Sequence, residues 1–167
     1  GGGSRGSTEH IAAAMIAREV GVDPAKINYV AFRGGGEATA AILGGNVTVG
    51  GSGYSEFSEY IASGKMKALA VTSDVRLKGV NIPTLKELGI AVAIGNWRGV
   101  YGAPGITPAQ RQTLTDLVMK AAKSKSWAEA CEKNNWTPAV LTGAAFEKFV
   151  DDDFASLRAT MVKSGMI

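Results

Sequence analysis

The 167-residue sequence predicts an α/β fold built on parallel strands. Two patterns carry that prediction. Short apolar runs with β-branched residues alternate with stretches whose apolar residues recur at helical spacing. Between each apolar run and the next helix lies a loop dense in glycine, the one residue the composition over-uses, with 22 copies. The length and the 46% hydrophobic content suffice for a buried core, in one domain or two small ones.

The first loop is GGGSRGSTEH. Ser7 or Thr8 is a natural N-cap, and Ile11, Met15, Ile16 and Val20 form the apolar stripe of a helix that Gly21 ends. Asp23-Pro24 makes a turn, and INYVAF (27–32) reads as a buried strand. RGGGEATAAILGG then gives a glycine loop, a short helix from about Glu37 and a stop at Gly44-Gly45. NVTVG (46–50) reads as a second strand, followed by the loop Gly50-Gly51-Ser52-Gly53. The helix YSEFSEYIA carries Phe57, Tyr60 and Ile61 on one face and ends at Gly64; KALAVTS (67–73) is a third strand. Right-handed crossovers put every strand-to-helix loop on the same sheet edge, so the loops around Gly3, Gly35 and Gly51 converge on one crevice.

After Ser73 the pattern changes. Pro83 precedes a helical turn at Thr84-Leu85-Lys86-Glu87, and IAVAIG and NWRGVYGAP read as extended. Thr107-Pro108-Ala109-Gln110 is a capping box with Pro at the first helical position, and Leu114, Leu117, Val118 and Ala121 give its helix an apolar face. Ser126-Trp127-Ala128-Glu129 reads as a second box. The last helix, from about Ala144, carries Phe146, Phe149, Val150, Phe154, Leu157 and Met161, with Gly165 as C-cap. These helices need a sheet to pack on, and the sequence offers none for them.

Several function classes fall away. A net charge of +3 is mildly favourable for an anionic ligand but too small for nucleic acid. One histidine, His10, and one cysteine, Cys131, give no metal-ligand cluster and no intrachain disulfide. His10 reads as a packing or capping residue, and Cys131 as a small buried hydrophobe. No apolar run is long enough for a membrane span. RGGGEATA lacks the ending of a phosphate-binding P-loop, and no serine sits in a nucleophile elbow, so no catalytic residue is nominated.

Gly1, Gly3 and Gly6 spell G-x-G-x-x-G before a helix, with Arg33 after the next strand, which admits a fragment of an NADP-dependent dinucleotide-binding enzyme. Against this, no strand precedes Gly1 and no acidic residue ends INYVAF. The competing reading is a small-anion site: backbone N–H groups at helix starts, flanked by Ser4, Ser7, Thr8, Ser52 and Ser55, suit a carboxylate without a fixed cation. Arg5 and Arg33 can add charge. Any one loop alone is more simply a tight connection whose hydroxyls cap its helix.

The runs NYVAFRGGGEATAAILGGNVTVGGSGYSEF, GKMKALAVTS, IPTLKELGI and NWRGVYGAPGITPAQR, with the final KSGMI, resemble the tripartite tricarboxylate transporter solute-binding proteins, the Bug-type periplasmic receptors. GGGSRGSTEH resembles that family's Gly/Ser loop and following His, which makes it native sequence and not a linker. The resemblance implies a periplasmic-binding-protein-like fold of type II, a Venus flytrap of two α/β lobes closing on a di- or tricarboxylate. Carried over by position, the contacts are Gly3, Ser4, Gly6, Ser7 and Thr8, then Arg33, Gly34 and Gly35, then Gly51, Ser52, Gly53 and Tyr54. Where many members have an Asp, this chain has Ser52, as in the tricarboxylate branch; without a carboxylate there the loop favours a more highly charged anion.

The resemblance further implies no cofactor, no catalysis, and membrane permease subunits as partners. Because family members are longer, the chain reads as a C-terminal fragment: residues 1–100 as the second lobe, and residues 101–167 as a crossover strand and helices that belong on the first. Helix faces left bare in such a fragment invite self-association.

Overall fold

The computed structural model describes residues 1–167. It has six α-helices: α1 (Thr8–Glu19), α2 (Gly35–Leu43), α3 (Tyr54–Ala62), α4 (Pro108–Ala122), α5 (Lys125–Asn134) and α6 (Gly143–Lys163). Single 3₁₀ turns lie at Pro24–Lys26 and Lys86–Leu88. The chain divides into two compact units, Gly1–Asn96 with Asp152–Ile167, and Trp97–Asp151, so α6 contributes residues to both.

In the first unit α1 buries Ile11, Ala12, Ala14 and Ala17, and its small side chains let the following 3₁₀ turn pack close. That turn is fixed by the Asp23 carboxylate, which accepts the Ala25 N–H (3.0 Å). α2 turns Ala38, Thr39 and Ala41 inward and lies against α3. Each helix stops where predicted: Gly21, Gly45 and Gly64 follow α1, α2 and α3 with φ of 77°, 69° and 72°.

The expected strands are the main correction. Segments 27–32 and 67–73 build no multi-residue ladder, and residues 46–48 bend; single-step parallel bridges form at Gly2 with Ala31 and Val71 with Thr84, beside a short pairing of Gly1 with residues 49–51. Local chemistry explains the brevity. The chain turns at Gly3 into α1, which ends the first pairing after one step. At the second, Val71 donates to the Pro83 carbonyl (2.9 Å) and accepts from Leu85 (3.1 Å). A further bond from residue 83 back to Leu69 is impossible, because proline has no N–H.

The Pro83–Gly89 turn closes on itself. Thr84, 1% exposed, accepts the Glu87 N–H through Oγ1 (3.1 Å), while Glu87 accepts the Thr84 N–H (2.8 Å). This reciprocal pair is a capping box. Arg76 Nε lies 2.9 Å from both Glu87 oxygens and Arg76 also reaches Asn81, so the loop from Asp74 is strapped to the turn.

In the second unit the Thr107–Gln110 capping box forms as predicted. The second box does not: α5 begins at Lys125, and the Ser124 hydroxyl, not Ser126, accepts the Trp127 N–H (3.2 Å). Starting two residues earlier lets Ser124 cap the third helical amide. Phe146 and Phe149 pack edge-on against Trp97 at ring-centroid distances of 6.1 and 5.3 Å, and Tyr101 joins Phe146 at 5.7 Å. Arg111 on α4 pairs with Glu147 on α6. The outward face of α4 is bare, with Leu117 64% exposed; in the part of α6 that belongs to the first unit, Phe154 is 67% exposed.

Replacing Thr84 by Ala removes the cap acceptor and is expected to lower the unfolding free energy by about 1 kcal/mol in urea melts. An unchanged midpoint and slope would show that the box carries no load. The Arg76 hydrogen bond, with the Thr84 N–H, holds the Glu87 carboxyl below its ordinary value of 4.5. Its contribution is therefore complete above that value and lost as pH falls through the lower, folded-state value. Acid titration of a Glu87→Gln variant should lack that decline.

Candidate functional site

Three backbone segments meet side by side. Phe32 donates to the Gly2 carbonyl (2.9 Å) and Gly2 to Val30 (3.2 Å) on one flank. On the other, Gly51 donates to the Gly1 carbonyl (3.0 Å), and the Gly1 amino group to Val49 (2.8 Å). Both pairings are parallel, so the loops that leave segments 1–3, 29–32 and 49–51 depart in one direction. Each loop runs straight into a helix. The predicted site residues fall at those starts: Ser7 and Thr8, Gly34 and Gly35, and Gly53 and Tyr54 are the N-cap and first residue of α1, α2 and α3.

None of these three N-caps bonds its helix through a side chain. The α4 and α5 starts, in contrast, are closed by Thr107 and Ser124. The α1–α3 ends therefore present amide donors and the positive end of the helix dipole in one common direction.

The protein's own carboxylates gather there. Glu9, Glu37 and Glu56 each lie in a first turn. Glu9 accepts the Ser7 hydroxyl (2.6 Å), Glu37 accepts the Arg33 N–H (3.0 Å), and Glu56 accepts the Ser52 hydroxyl. Glu56 leans across to α2, where its carboxylate fills the place a side chain on Gly35 would take. Glu9 spans the first and third loops: its side chain would meet a Cβ on Gly2 at 2.8 Å and on Gly51 at 3.5 Å. Only glycine at position 2 permits that approach.

Sequence reasoning did not single out these glutamates, although an acidic residue two or three positions after each helix start is the signal for them. They also correct one expectation. The third loop does hold a carboxylate, that of Glu56 one turn into α3, so Ser52 does not leave the loop without negative charge. Arg5 and Arg33 are both exposed at the loop tips; Gly34 is open, whereas Glu56 covers the Cβ side of Gly35 and Glu9 that of Gly3.

Behind the first loop stands an aromatic support. Tyr29 is 8% exposed and donates its hydroxyl to the Gly3 carbonyl (2.9 Å). His10 stacks on it with ring centroids 4.2 Å apart. Nδ1 of His10 accepts the Gly6 N–H (3.0 Å), which fixes the neutral ring with its proton on Nε2. Gly6 has φ of 79°, a left-handed conformation that suits glycine. His10 is thus a positioning residue for the loop. Burial, with the Arg5 charge adding, pushes its pKa below the ordinary 6.5. Burial also raises that of Tyr29, and the negative Glu9 acts in the same direction. No cluster of three or more His, Cys, Asp or Glu side chains is placed to hold a metal ion.

A family model described as the tripartite tricarboxylate transporter family receptor matches residues 1–166. Two curated relatives are similar: the UPF0065 protein in the gbd 5′ region of Cupriavidus necator, 26% identical across 98% of this chain and 50% of its own length, and Protein BugT of Bordetella pertussis, 27% identical across 96% of this chain and 49% of its own length. The chain therefore spans about half the length of the curated relatives it matches. A crystal structure of a TctC solute-binding protein from Polaromonas, without ligand, superposes with a TM-score of 0.75 at 34% identity, covering 97% of this chain and 56% of that one.

Because the folded chain disfavours charged His10, its contribution to stability is complete above pH 6.5 and is lost as pH falls below that value through the lower folded pKa. The Gly6 amide resonance should titrate with it, with a midpoint below 6.5. A midpoint at or above 6.5, or a Gly6 amide that does not move, would break the link between His10 and the loop.

Proposed function

The chain belongs to the tripartite tricarboxylate transporter receptor family, and we propose that it forms the second lobe and closing helices of a periplasmic solute-binding receptor for a small di- or tricarboxylate. In this reading the intact protein captures the anion between two lobes that close like a flytrap and hands it to the membrane permease subunits. It performs no catalysis and needs no cofactor. The observation that carries the reading is the convergence of three helix starts, none capped by its own N-cap side chain, at the end of three parallel backbone segments.

The chemistry follows from that convergence. A carboxylate has about four lone-pair sites and is bound well by backbone N–H groups at helix starts, where the dipole adds favourable charge. Loop hydroxyls of Ser4, Ser7, Thr8 and Ser52 supply further donors, and glycines at 3, 6, 34, 35, 51 and 53 let the main chain approach. Arg5 and Arg33 steer the anion from the loop tips. Tyr54, half-buried at the start of α3, offers an apolar wall with a polar tip. The bare faces of α4 and α6 belong to contacts with the remainder of the receptor, and self-association through them is the expected behaviour of the isolated chain.

The dinucleotide-enzyme alternative has no support in the receptor family match. Affinity in the proposed mechanism requires both lobes, so this chain alone should bind weakly. Amide NMR titration with citrate and succinate is expected to shift resonances of residues 3–8, 33–35 and 51–54. NADPH should leave them in place. Shifts with NADPH alone, centred on Gly1 to Gly6 and Arg33, would overturn the receptor reading.

A further inference from the structure

We propose that His10 is a two-position latch on the first loop. Its neutral ring holds the Gly6 N–H; its protonated ring holds the Arg5 carbonyl, after the peptide joining Arg5 and Gly6 has turned over. The latch concerns the shape of the loop and stands whether or not the loop binds an anion. Residues 4–7 form a β-turn, closed by the Ser7 N–H on the Ser4 carbonyl (3.0 Å). Gly6 is the third residue of that turn, with φ of 79°, while Arg5 before it has negative φ. This is the signature of a type II turn. Types I and II share their end residues and closing hydrogen bond, and differ by a half-turn of the central peptide. In the type II form the central N–H points at Nδ1 of His10 (3.0 Å). In the type I form the Arg5 carbonyl takes its place.

Protonation drives the exchange. The neutral ring carries its proton on Nε2 and accepts at Nδ1, whereas the cation donates at both nitrogens. Nδ1–H then faces the Gly6 N–H, two donors with no acceptor between them. Turning the peptide over puts a carbonyl there, which accepts from the imidazolium in a charge-assisted bond. The surroundings permit the motion. Tyr29 holds the Gly3 carbonyl (2.9 Å) and Ser7 holds that of Ser4, so the ends of the turn stay where they are. Glycine adopts either sign of φ, and only Met161 Cε of α6 comes within 4 Å of the Cβ place at Gly6, at 3.6 Å. The charged and titratable groups around the stacked rings are Arg5 in the turn, Glu9 on α1 and Tyr29 itself. Burial and then the Arg5 charge oppose the cation, so the latch keeps its neutral position until pH falls below 6.5; Glu9 is engaged by the Ser7 hydroxyl. Once turned, the far edge of the peptide offers an N–H where it had offered a carbonyl.

The test is an NMR titration of the unmodified chain downward through pH 6.5. It follows the His10 ring nitrogens, the Gly6 amide, the Arg5 carbonyl carbon and the protection of the Ser7 amide from hydrogen exchange. Ring, amide and carbonyl should share one midpoint, with Ser7 protected on both sides of it. An Arg5 carbonyl that does not move, or Ser7 protection lost at that midpoint, would mean a loop that stays or opens and would overturn the latch. Gly6→Ala gives an independent reading, because a Cβ disfavours the left-handed φ of type II and not the type I form. It should raise the His10 midpoint by about one pH unit, a tenfold gain in proton affinity. Gly21→Ala adds a Cβ at a similar φ of 77° beyond the end of α1, in open space, and should leave the midpoint where it is. An unmoved or lowered midpoint in Gly6→Ala, or an equal rise in both variants, would also overturn the proposal.

Discussion

Everything distinctive in the first unit depends on the backbone of Gly1 and Gly2 lying between two neighbours. Four hydrogen bonds, two on each flank, hold residues 1–2 parallel to residues 30–32 and 49–51. That contact is only a residue or two long, yet it fixes the direction in which three loops leave and so brings three helix starts to one edge. Its tolerances are tight. A side chain on Gly2 would strike the Tyr29 hydroxyl at 2.6 Å, and one on Gly50 would overlap Ile42 of α2. The glycines are there to let backbones and helices meet.

From that alignment the electrostatics follow. Three helix N-termini pointing the same way create a locus of partial positive charge whose amides want acceptors. The chain answers with three first-turn glutamates, each hydrogen-bonded within its own loop, while exposed arginines at positions 5 and 33 add to the positive charge. In the proposed receptor reading, a carboxylate at these loops is held by geometry and dipoles rather than by a buried cation. Such a site avoids desolvating a fixed charge and can release its ligand readily. Tyr29 and His10 hold the first loop from behind, so its shape is set by packing and by a neutral imidazole.

The second unit is organised differently. α4 and α5 are capped by their own side chains, and half-buried Trp97, Phe146 and Phe149 form an aromatic cluster with the exposed Tyr101 at its edge. Aromatic edges give such a cluster defined geometry as well as buried area. Its helices still expose large apolar residues, Leu114 and Leu117 among them. Helical periodicity predicted those faces, and their exposure is what a helix shows when nothing in its own unit covers it.

Local chemistry in the sequence was sufficient for the helices: Thr107 and Gln110 close their box, and Gly21, Gly45, Gly64 and Gly165 end their helices, because a cap or a left-handed glycine acts within a few residues. The loops that hold the candidate site were legible for the same reason, as glycine and hydroxyl runs at helix starts. Strand pairing was not, because a ladder needs a partner distant in sequence; Pro83 and the turn after Gly3 cut two such ladders to single bridges. Nor did spacing reveal that Glu56 reaches α2, that Glu9 spans two loops, or that Tyr29 and His10 brace Gly3 and Gly6. Those contacts join residues tens of positions apart or turn on side-chain direction, and only the folded chain sets both.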